Sequence, residues 1–561
     1  MDSRMDGNIP EMKSWSPPHP KFSWFFVALV ALTGLLPFLT GMLAIVIKTP
    51  FPSFFDSGRS TAILSSAFFT MKQATISSLV VGLLAPVFGV SLVFATPRGL
   101  RTSYLLRTLV FCLPSLVVAS GIIVAWGKNG LATRLLESLG IDLPIAEIIY
   151  SPYAVVLANT LMNLPFASLM IFRCLMELPG EQVDSATLLG LRPFTALKCV
   201  IWPAIKPVLF YFSGMTFLLS LGSFGALSIL GGGPASQTLE LGIYQSIYFD
   251  GDWPAAALFA FTHASLAGFV ALLFIGPQYR WLDAYLSQQI PANLSVSKLR
   301  PLFYRSKSIH WMLVMTNYAL DLCILAPITA LLVNSFQFLI LGNSSTLQLL
   351  APLLESLKVS LGFAIPAAMI ATFIAWLVTR AFCRYKLYQR PKFGVAMLLG
   401  VFGAGIIPGM AAAFGLLVLR SMLPAQFFGS PAIIAIHTTL ILPFLINILL
   451  PLYSQKLMPF ENSRMLLGLS EFRWLRIVEW RAMGQGLASA LAVGLALSLN
   501  ETAIVSMLGD PLRPVLTTTM IRLMGHYRFG ESAIGSCLLI LTTFTAILFL
   551  SPRGRLLNDA A

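Results

Sequence analysis

The chain has 561 residues, of which 57% are hydrophobic and only 11% charged, with a mean hydropathy of +0.81. A soluble protein carries about 25% charged residues, so this composition excludes a soluble globular domain and points to a polytopic membrane protein. The formal charge of +14 is divided among short clusters between apolar runs and is not gathered on one face, which argues against nucleic-acid binding and for a membrane orientation signal.

A bilayer core about 30 Å thick needs roughly 20 apolar residues per helical crossing. In chain order such runs fall at 22–47, 74–95, 104–126, 152–176, 207–230 and 254–277, then at 311–336, 357–379, 394–419, 431–453, 486–509 and 533–551. They do not alternate as barrel strands do. The expected fold is therefore all-α, with about 12 transmembrane helices arranged as six plus six. The run at 22–47 is too long for a signal-peptide core and is expected to be retained. The six cysteines show no metal-ligand spacing and are expected to be unpaired apolar packing residues.

Lys and Arg gather before the first run and after every even-numbered one, at Arg98 and Arg101, Arg192 and Lys198, Arg300 and Arg305, Arg380 and Arg384, Arg464 and Arg476, and Arg553 and Arg555. The opposite loops are acidic or mixed, with Glu137, Asp142, Glu147, Glu240, Asp250 and Asp252. The positive-inside rule then places both termini and all the basic loops in the cytoplasm.

One basic loop is written twice. Asp184 to Pro203 reads DSATLLGLRPFTALKCVIWP, and Asn462 to Arg481 reads NSRMLLGLSEFRWLRIVEWR. The constant offset of 278 residues also aligns Asn159–Phe166 with His437–Phe444 and Ser220–Gly232 with Ser498–Asp510. Upstream, Pro86 with Gly82 matches Pro366 with Gly362, and Pro114 with Gly121 matches Pro408 with Gly415. Loops that match on one side of the membrane require an even number of spans per half, hence parallel repeats about an axis along the membrane normal. The expected organisation is a first half at 1–278 with its loop at 178–206, a cytoplasmic linker at 279–310, and a second half at 311–561 with its loop at 456–485. Within the first loop, Asp184 is expected to cap a helix, Gly190 to interrupt it, Pro193 to start a second helix, and Trp202-Pro203 to end the loop at the membrane. Leu188, Leu189, Leu191, Phe194 and Leu197 offer apolar surface in the cytoplasm. A segment folded back on the headgroups is one explanation, but duplication favours a two-fold symmetric partner.

The spacing resembles the loop of the membrane subunits of binding-protein-dependent ABC importers: Glu-Ala-Ala, three residues, Gly, nine residues, then Ile-x-Leu-Pro. Asp184, Ser185, Ala186, Gly190 and Val200-Ile201-Trp202-Pro203 follow it, as do Ser463, Gly468, Val478 and Trp480, with Arg481 in place of proline. LPGEQ (Leu178 to Gln182), SILGGGPASQTLELGIYQSIYFD (Ser228 to Asp250) and LGLSEFRWLRIVEWRAM (Leu467 to Met483) are similar to the fused two-in-one permeases of bacterial thiamine importers, and more loosely to ferric-iron permeases. In span 11, where relatives often place an acidic residue before Phe-Gly, this chain has Asn500-Glu501-Thr502-Ala503.

The resemblance implies a multi-pass permease of the bacterial inner membrane, with a periplasmic solute-binding protein on one side and two copies of a cytoplasmic ABC ATPase on the other. The ATPases would be met by Asp184, Ser185, Ala186, Gly190, Phe194, Pro203, Ser463, Gly468, Phe472 and Arg481. It implies no cofactor or metal on this chain, with ATP and magnesium on the partner ATPase. The chain contains no phosphate-binding sequence of the form Gly, four residues, Gly-Lys-Ser or Gly-Lys-Thr, and no HExxH or nucleophile elbow. It is expected to be a transport subunit, not an enzyme. Intramembrane polar residues are candidates for the substrate pathway, here Asn159, Asn163, His437 and Glu501, with interhelical hydrogen bonding as the competing role. Asp321 and His263 are expected to be structural and bundle-facing, and the Gly231–Pro234 turn to face the binding protein. A ferric-iron or other small-ion permease is the alternative within the family. A proton-coupled secondary transporter using Glu501 is the alternative outside it.

Overall fold

The computed structural model describes most of residues 57–287, 307–341, 346–387 and 407–550, with isolated positions at 36–45, 299–300 and 397–405. Every regular element among them is helical, and ten helices are long and apolar enough to cross a membrane. Each of these ten overlaps one of the expected runs, with boundaries shifted by up to about 16 residues. Of the other two, 22–47 lies mostly outside the described residues, and 394–419 is described chiefly through the 12-residue helix Gly409–Arg420. Most of the linker, Gly232 to Pro234 and the chain ends also lie outside them.

The repeat is carried by the helices themselves. Gly180–Leu188, Pro193–Ala196 and the π turn Leu197–Ile201 recur, 278 positions on, as Met458–Leu466, Glu471–Trp474 and the π turn Leu475–Glu479. Each π turn runs into a long helix, Trp202–Leu221 or Trp480–Asn500, so helix continues from loop to membrane. Trp202-Pro203 therefore does not end the loop. A proline lacks the N–H that an α turn needs and crowds the preceding carbonyls, and the wider π turn just before Pro203 relieves both. The second copy keeps the π turn with Arg481 at the proline position, so the turn belongs to the loop design and not to proline alone.

Three of the expected spans are broken. Helix Pro97–Phe111 stops at Cys112 and restarts as Ser115–Trp126, after Pro114. The long helices Trp202–Leu221 and Trp480–Asn500 end at matching places and restart as the short helices Phe224–Leu230 and Ala503–Leu508. Each break frees backbone N–H groups that a membrane interior cannot hydrate.

The halves exchange their leading helices. Lys307–Leu341, which opens the second half, packs on Ser115–Trp126 of the first. There a Cβ on Gly121 would come within 2.8 Å of Pro327 Cβ. Reciprocally, Phe38 and Ile45 lie in one apolar cluster with Met410, Phe414 and Leu416 of the second half, and a Cβ on Gly41 would sit 2.6 Å from Gly415 Cα. Gly121 and Gly415, matched in sequence, thus mark the two close approaches. Arg107, fully buried, fastens the first of these: its Nε donates to Asp321 Oδ1 at 2.9 Å, Nη2 to Asn317 Oδ1 at 2.7 Å and Nη1 to Ser168 Oγ at 2.9 Å. Ser103 donates to the other Asp321 oxygen. An intramembrane arginine is tolerable only when paired in this way. His263, also fully buried, lies on the helix Trp253–Ser287.

Candidate functional site

Two exposed loops occupy one end of the bundle. In the first, Gly190 has φ +59° and stands just past the helix end, with Gly190 N–H donating to Thr187 O at 3.0 Å and Leu191 N–H to Ala186 O at 3.2 Å. This is a Schellman stop, in which the left-handed residue is almost always glycine. Gly468 repeats it at φ +60°, with Leu469 N–H donating to Arg464 O at 3.2 Å. The turn forces the flanking apolar side chains outward, and both copies do so alike: Leu188 and Leu466 are each 88% exposed, and Phe194 and Phe472 are 76% and 73% exposed. Asp184, Ser185, Pro203, Ser463 and Arg481 are exposed, and Ala186 is buried. Asp184 does not cap its helix. Pro179 occupies the cap, Glu181 supplies the first-turn carboxylate, and Asp184 lies mid-helix because the helix begins at Gly180, five residues earlier than expected.

The loops differ in what holds them down. The first is seated on apolar contacts through Val183, Ala186, Ala196 and Ile201, all buried. At the equivalent positions, the second has Glu461, Arg464, Trp474 and Glu479. There Arg384 lies 2.7 Å from Glu471 and 3.4 Å from Glu461, Arg464 lies 2.8 Å from Glu461, Arg380 lies 3.3 Å from both Glu471 and Glu479, and Trp376 Nε1 donates to Glu479 at 2.9 Å.

Between the halves lies a cavity of about 300 Å³. Its lining runs from the helix breaks at Gly222, Ser223, Asn500 and Glu501 toward the loop end at Tyr211 and Asn447, whose side chains hydrogen-bond at 2.5 Å across the halves. Of the expected pathway residues, Asn159, Asn163 and Glu501 line it and His437 does not. Asn159 Nδ2 donates to Gln73 Oε1 at 2.9 Å and to Ser223 Oγ at 3.4 Å, and Asn163 Nδ2 to Asn159 O at 2.8 Å. His437 Nδ1 lies 2.8 Å from Ser498 Oγ, a bond between helices. Glu501 Oε1 accepts from the N–H groups of Ala503 at 3.0 Å and Ile504 at 3.3 Å, at the start of the short helix its own break creates.

Sequence reasoning missed Asn500, Asn447 and Glu240. Asn500 Oδ1 accepts from Ser115 N–H at 3.0 Å, serving the restart of a first-half helix from the second half. Glu240 was expected in a solvated outer loop. It is 1% exposed, because the helix Leu239–Tyr248 buries Leu239, Gly242, Ile243 and Ser246 in the bundle and carries its first turn inward. Its Oε2 accepts from Phe224 N–H at 3.0 Å. Burial, with a smaller push from the Glu501 carboxylate, raises the Glu240 carboxyl to about 8. The signal for Glu240 was an acid just after Thr238, which caps the helix by accepting from Leu241 N–H.

Residues 78–288 match the family described as binding-protein-dependent transport system inner membrane component. The thiamine transport system permease protein of Brucella abortus (strain 2308) is 24% identical over 499 residues, 87% of each chain. That of Escherichia coli (strain K12) is 27% identical over 444 residues, 78% of this chain and 79% of the relative. The molybdenum transport system permease protein of Mycobacterium bovis is 29% identical over 238 residues, which cover 88% of that protein but 42% of this one. A relative of which 88% is matched within 42% of this chain fits the repetition of helices, loops and breaks. The chain spans the membrane many times, matches the binding-protein-dependent transport family over residues 78–288, and is similar over most of its length to permeases of binding-protein-dependent importers.

Proposed function

We propose that this chain is the permease subunit of an ABC importer that carries thiamine, or a similar small solute, across the bacterial inner membrane. A periplasmic binding protein delivers the solute to the end of the bundle opposite the loops, and both termini lie in the cytoplasm. Two copies of a cytoplasmic ATPase hold ATP and magnesium and dock on the loops at 178–206 and 456–485. The chain itself binds no cofactor. The halves run from 1 to 278 and from 311 to 561, joined by a cytoplasmic linker. The observation that carries this reading is the pair of Gly-stopped loops with equal apolar exposure, Leu188 and Phe194 in one and Leu466 and Phe472 in the other. Two matched patches suit two matched partners, and burying a Leu or Phe side chain is worth about 1.5–3 kcal/mol. The thiamine assignment rests on the relatives that align over most of the chain.

Nucleotide-driven closure of the ATPases does work on the permease only if its two conformations present different contacts. The continuous helices from Pro193 to Leu221 and from Glu471 to Asn500 supply a rigid route from each loop to the cavity. Asn159, Asn163 and Glu501 contact the solute as it passes, and the aromatic rings of Phe111, Tyr211 and Phe444 offer it apolar surface. His437 serves the pathway only at one remove, by fixing Ser498.

The test is uptake in proteoliposomes holding the chain, its ATPase and its binding protein, with thiamine, ferric ion and molybdate offered in turn. Thiamine uptake that needs all three proteins and ATP is expected. Ferric uptake alone would move the chain to the iron branch. Uptake that survives removal of the ATPase and collapses with the proton gradient would make it a secondary transporter and overturn the proposal.

A further inference from the structure

Tyr211 is the cavity-lining residue nearest the loop on helix Trp202–Leu221, and Asn447 holds the same place on helix Ser430–Lys456. Asn447 Nδ2 donates to the Tyr211 hydroxyl at 2.5 Å, so these last lining side chains join the two halves directly. The partners belong to different loops. Tyr211 rides on the helix that continues from the first loop through its π turn, and Asn447 on the helix that leads into the second loop and Met458–Leu466. A movement that spreads the loops therefore pulls on this bond.

Its surroundings make the bond separable. Toward the loops, Ile205 and Val208 are buried in one apolar cluster, and Leu449, Leu450 and Tyr453 in another. At the other end of the cavity Phe224, Met410 and Ile504 share one apolar cluster that draws on both halves. The tyrosine ring is held in place from its own half: it packs at 4.9 Å on Phe212, which meets Phe166 at 5.6 Å, and Phe166 stacks at 4.0 Å on Phe111. Phe111 reaches across to Phe444, one turn before Asn447, at a centroid distance of 6.4 Å. Parting the halves at the loop end thus breaks a hydrogen bond and a loose ring contact, whereas parting them at the other end opens an apolar seam. The tie is also built once. The positions matched to Tyr211 and Asn447 by the repeat are Ser489 and Leu169; Ser489 Oγ donates to Gln485 O within its own helix at 3.0 Å, and the Leu169 side chain is apolar.

We propose that Tyr211 and Asn447 are positioning residues for transport, an inner gate whose hydrogen bond holds the loop end of the cavity shut and parts when the two ATPases draw the loops away from each other. This rests on the importer reading for its direction, release toward the loops, but not on the identity of the solute.

The test uses the full chain in membrane vesicles, alone and with its ATPase and a non-hydrolysable ATP analogue. The six native cysteines are replaced, and one reporter, Leu218→Cys, is placed in the cavity wall beyond Tyr211. A membrane-impermeant maleimide is applied to the loop face. Tyr211→Phe keeps the ring and removes the acceptor, and Asn447→Leu installs the side chain found at the matched position. Each is expected to raise loop-face labelling about 3- to 20-fold, the range for a hydrogen bond between membrane helices, with labelling from the opposite face unchanged. The double variant is expected to match the larger single effect, because either substitution removes the whole bond. A merely structural role would lower the amount of protein, or raise labelling from both faces alike. Unchanged loop-face labelling in Tyr211→Phe overturns the gate, as does a double variant whose effect is the product of the singles; if Asn447→Leu does not accumulate, Tyr211→Phe decides. The chain alone settles the gate, whereas an analogue that leaves wild-type labelling unaltered in the presence of the ATPase would count against the importer reading only.

Discussion

The second loop is seated on charges and the first on apolar side chains, so one substitution should separate them. Arg384→Met removes the guanidinium lying 2.7 Å from Glu471 and 3.4 Å from Glu461. Stripping one partner from a buried pair costs about 3–5 kcal/mol when it strands a lone charge. Here neither carboxylate is stranded: Glu461 keeps Arg464 at 2.8 Å, and Glu471 keeps Arg380 at 3.3 Å with half its side chain in solvent. The expected loss is therefore lower, about 2–3 kcal/mol, and it falls on residues 456–485 alone. Hydrogen exchange read by mass spectrometry supplies an internal control, because 178–206 in the same molecule rests on Val183, Ala186 and Ile201. Protection in the second loop should drop roughly 30- to 150-fold, the equivalent of that energy, with the first loop unchanged. An equal drop in both loops, or none in either, would refute the idea that they are anchored by different chemistry.

Phe194→Asp and Phe472→Asp each remove one exposed ring from a docking patch; each should weaken ATPase co-purification by roughly 10- to 100-fold while leaving the chain in the membrane, since burial of a ring is worth about 1.5–3 kcal/mol. Gly190→Val meets no steric neighbour, but holding a branched residue at φ +59° costs about 1–2 kcal/mol. ATP hydrolysis should then run with less uptake per ATP, and normal stoichiometry would dissociate the Schellman stop from coupling. Glu240 gives a pH signature. Its folded carboxyl titrates at about 8, against about 4.3 when solvated. The folded chain therefore holds a proton that the unfolded chain has lost, and stability falls as pH rises from the lower value through the higher one, levelling above it. Glu240→Gln cannot titrate, so its melting temperature should gain on the wild type over that window; parallel curves would exclude the assignment.

Most of the helices were legible because membrane burial makes them long apolar runs, and the repeat was legible because both loops need the same backbone turn. Gly190 and Gly468 are equal for that reason, and so are the leucines flanking them. The breaks were harder. Gly222-Ser223 and Asn500-Glu501 sit inside apolar stretches and read as continuous spans, because a composition window averages over two residues. Glu240 was misplaced for the opposite reason: a carboxylate between two spans looks like a solvated loop, and only the inward fold of Leu239–Tyr248 reveals what it accepts. The pairing of Arg107 with Asp321 depends on the exchange of leading helices, which no local pattern announces.

The asymmetry between halves follows a consistent division. The apolar side chains that face outward are kept equal, down to the exposure of Leu188 and Leu466. What faces inward has diverged: Val183 against Glu461, Ile201 against Glu479, Gly222 against Asn500, and Ser223 against Glu501. A helix start needs an acceptor but does not specify which chain position provides it. The first half takes its acceptors from Glu240 and from Asn500 across the interface, whereas the second uses Glu501 locally. A two-fold partner of the kind proposed would constrain only the apolar surface of the loops and leave the interior free to differ. The result is a cavity with a carboxylate on one wall and a hydroxyl at the equivalent place on the other. A two-fold symmetric cavity offers a solute two equivalent orientations, and this one does not.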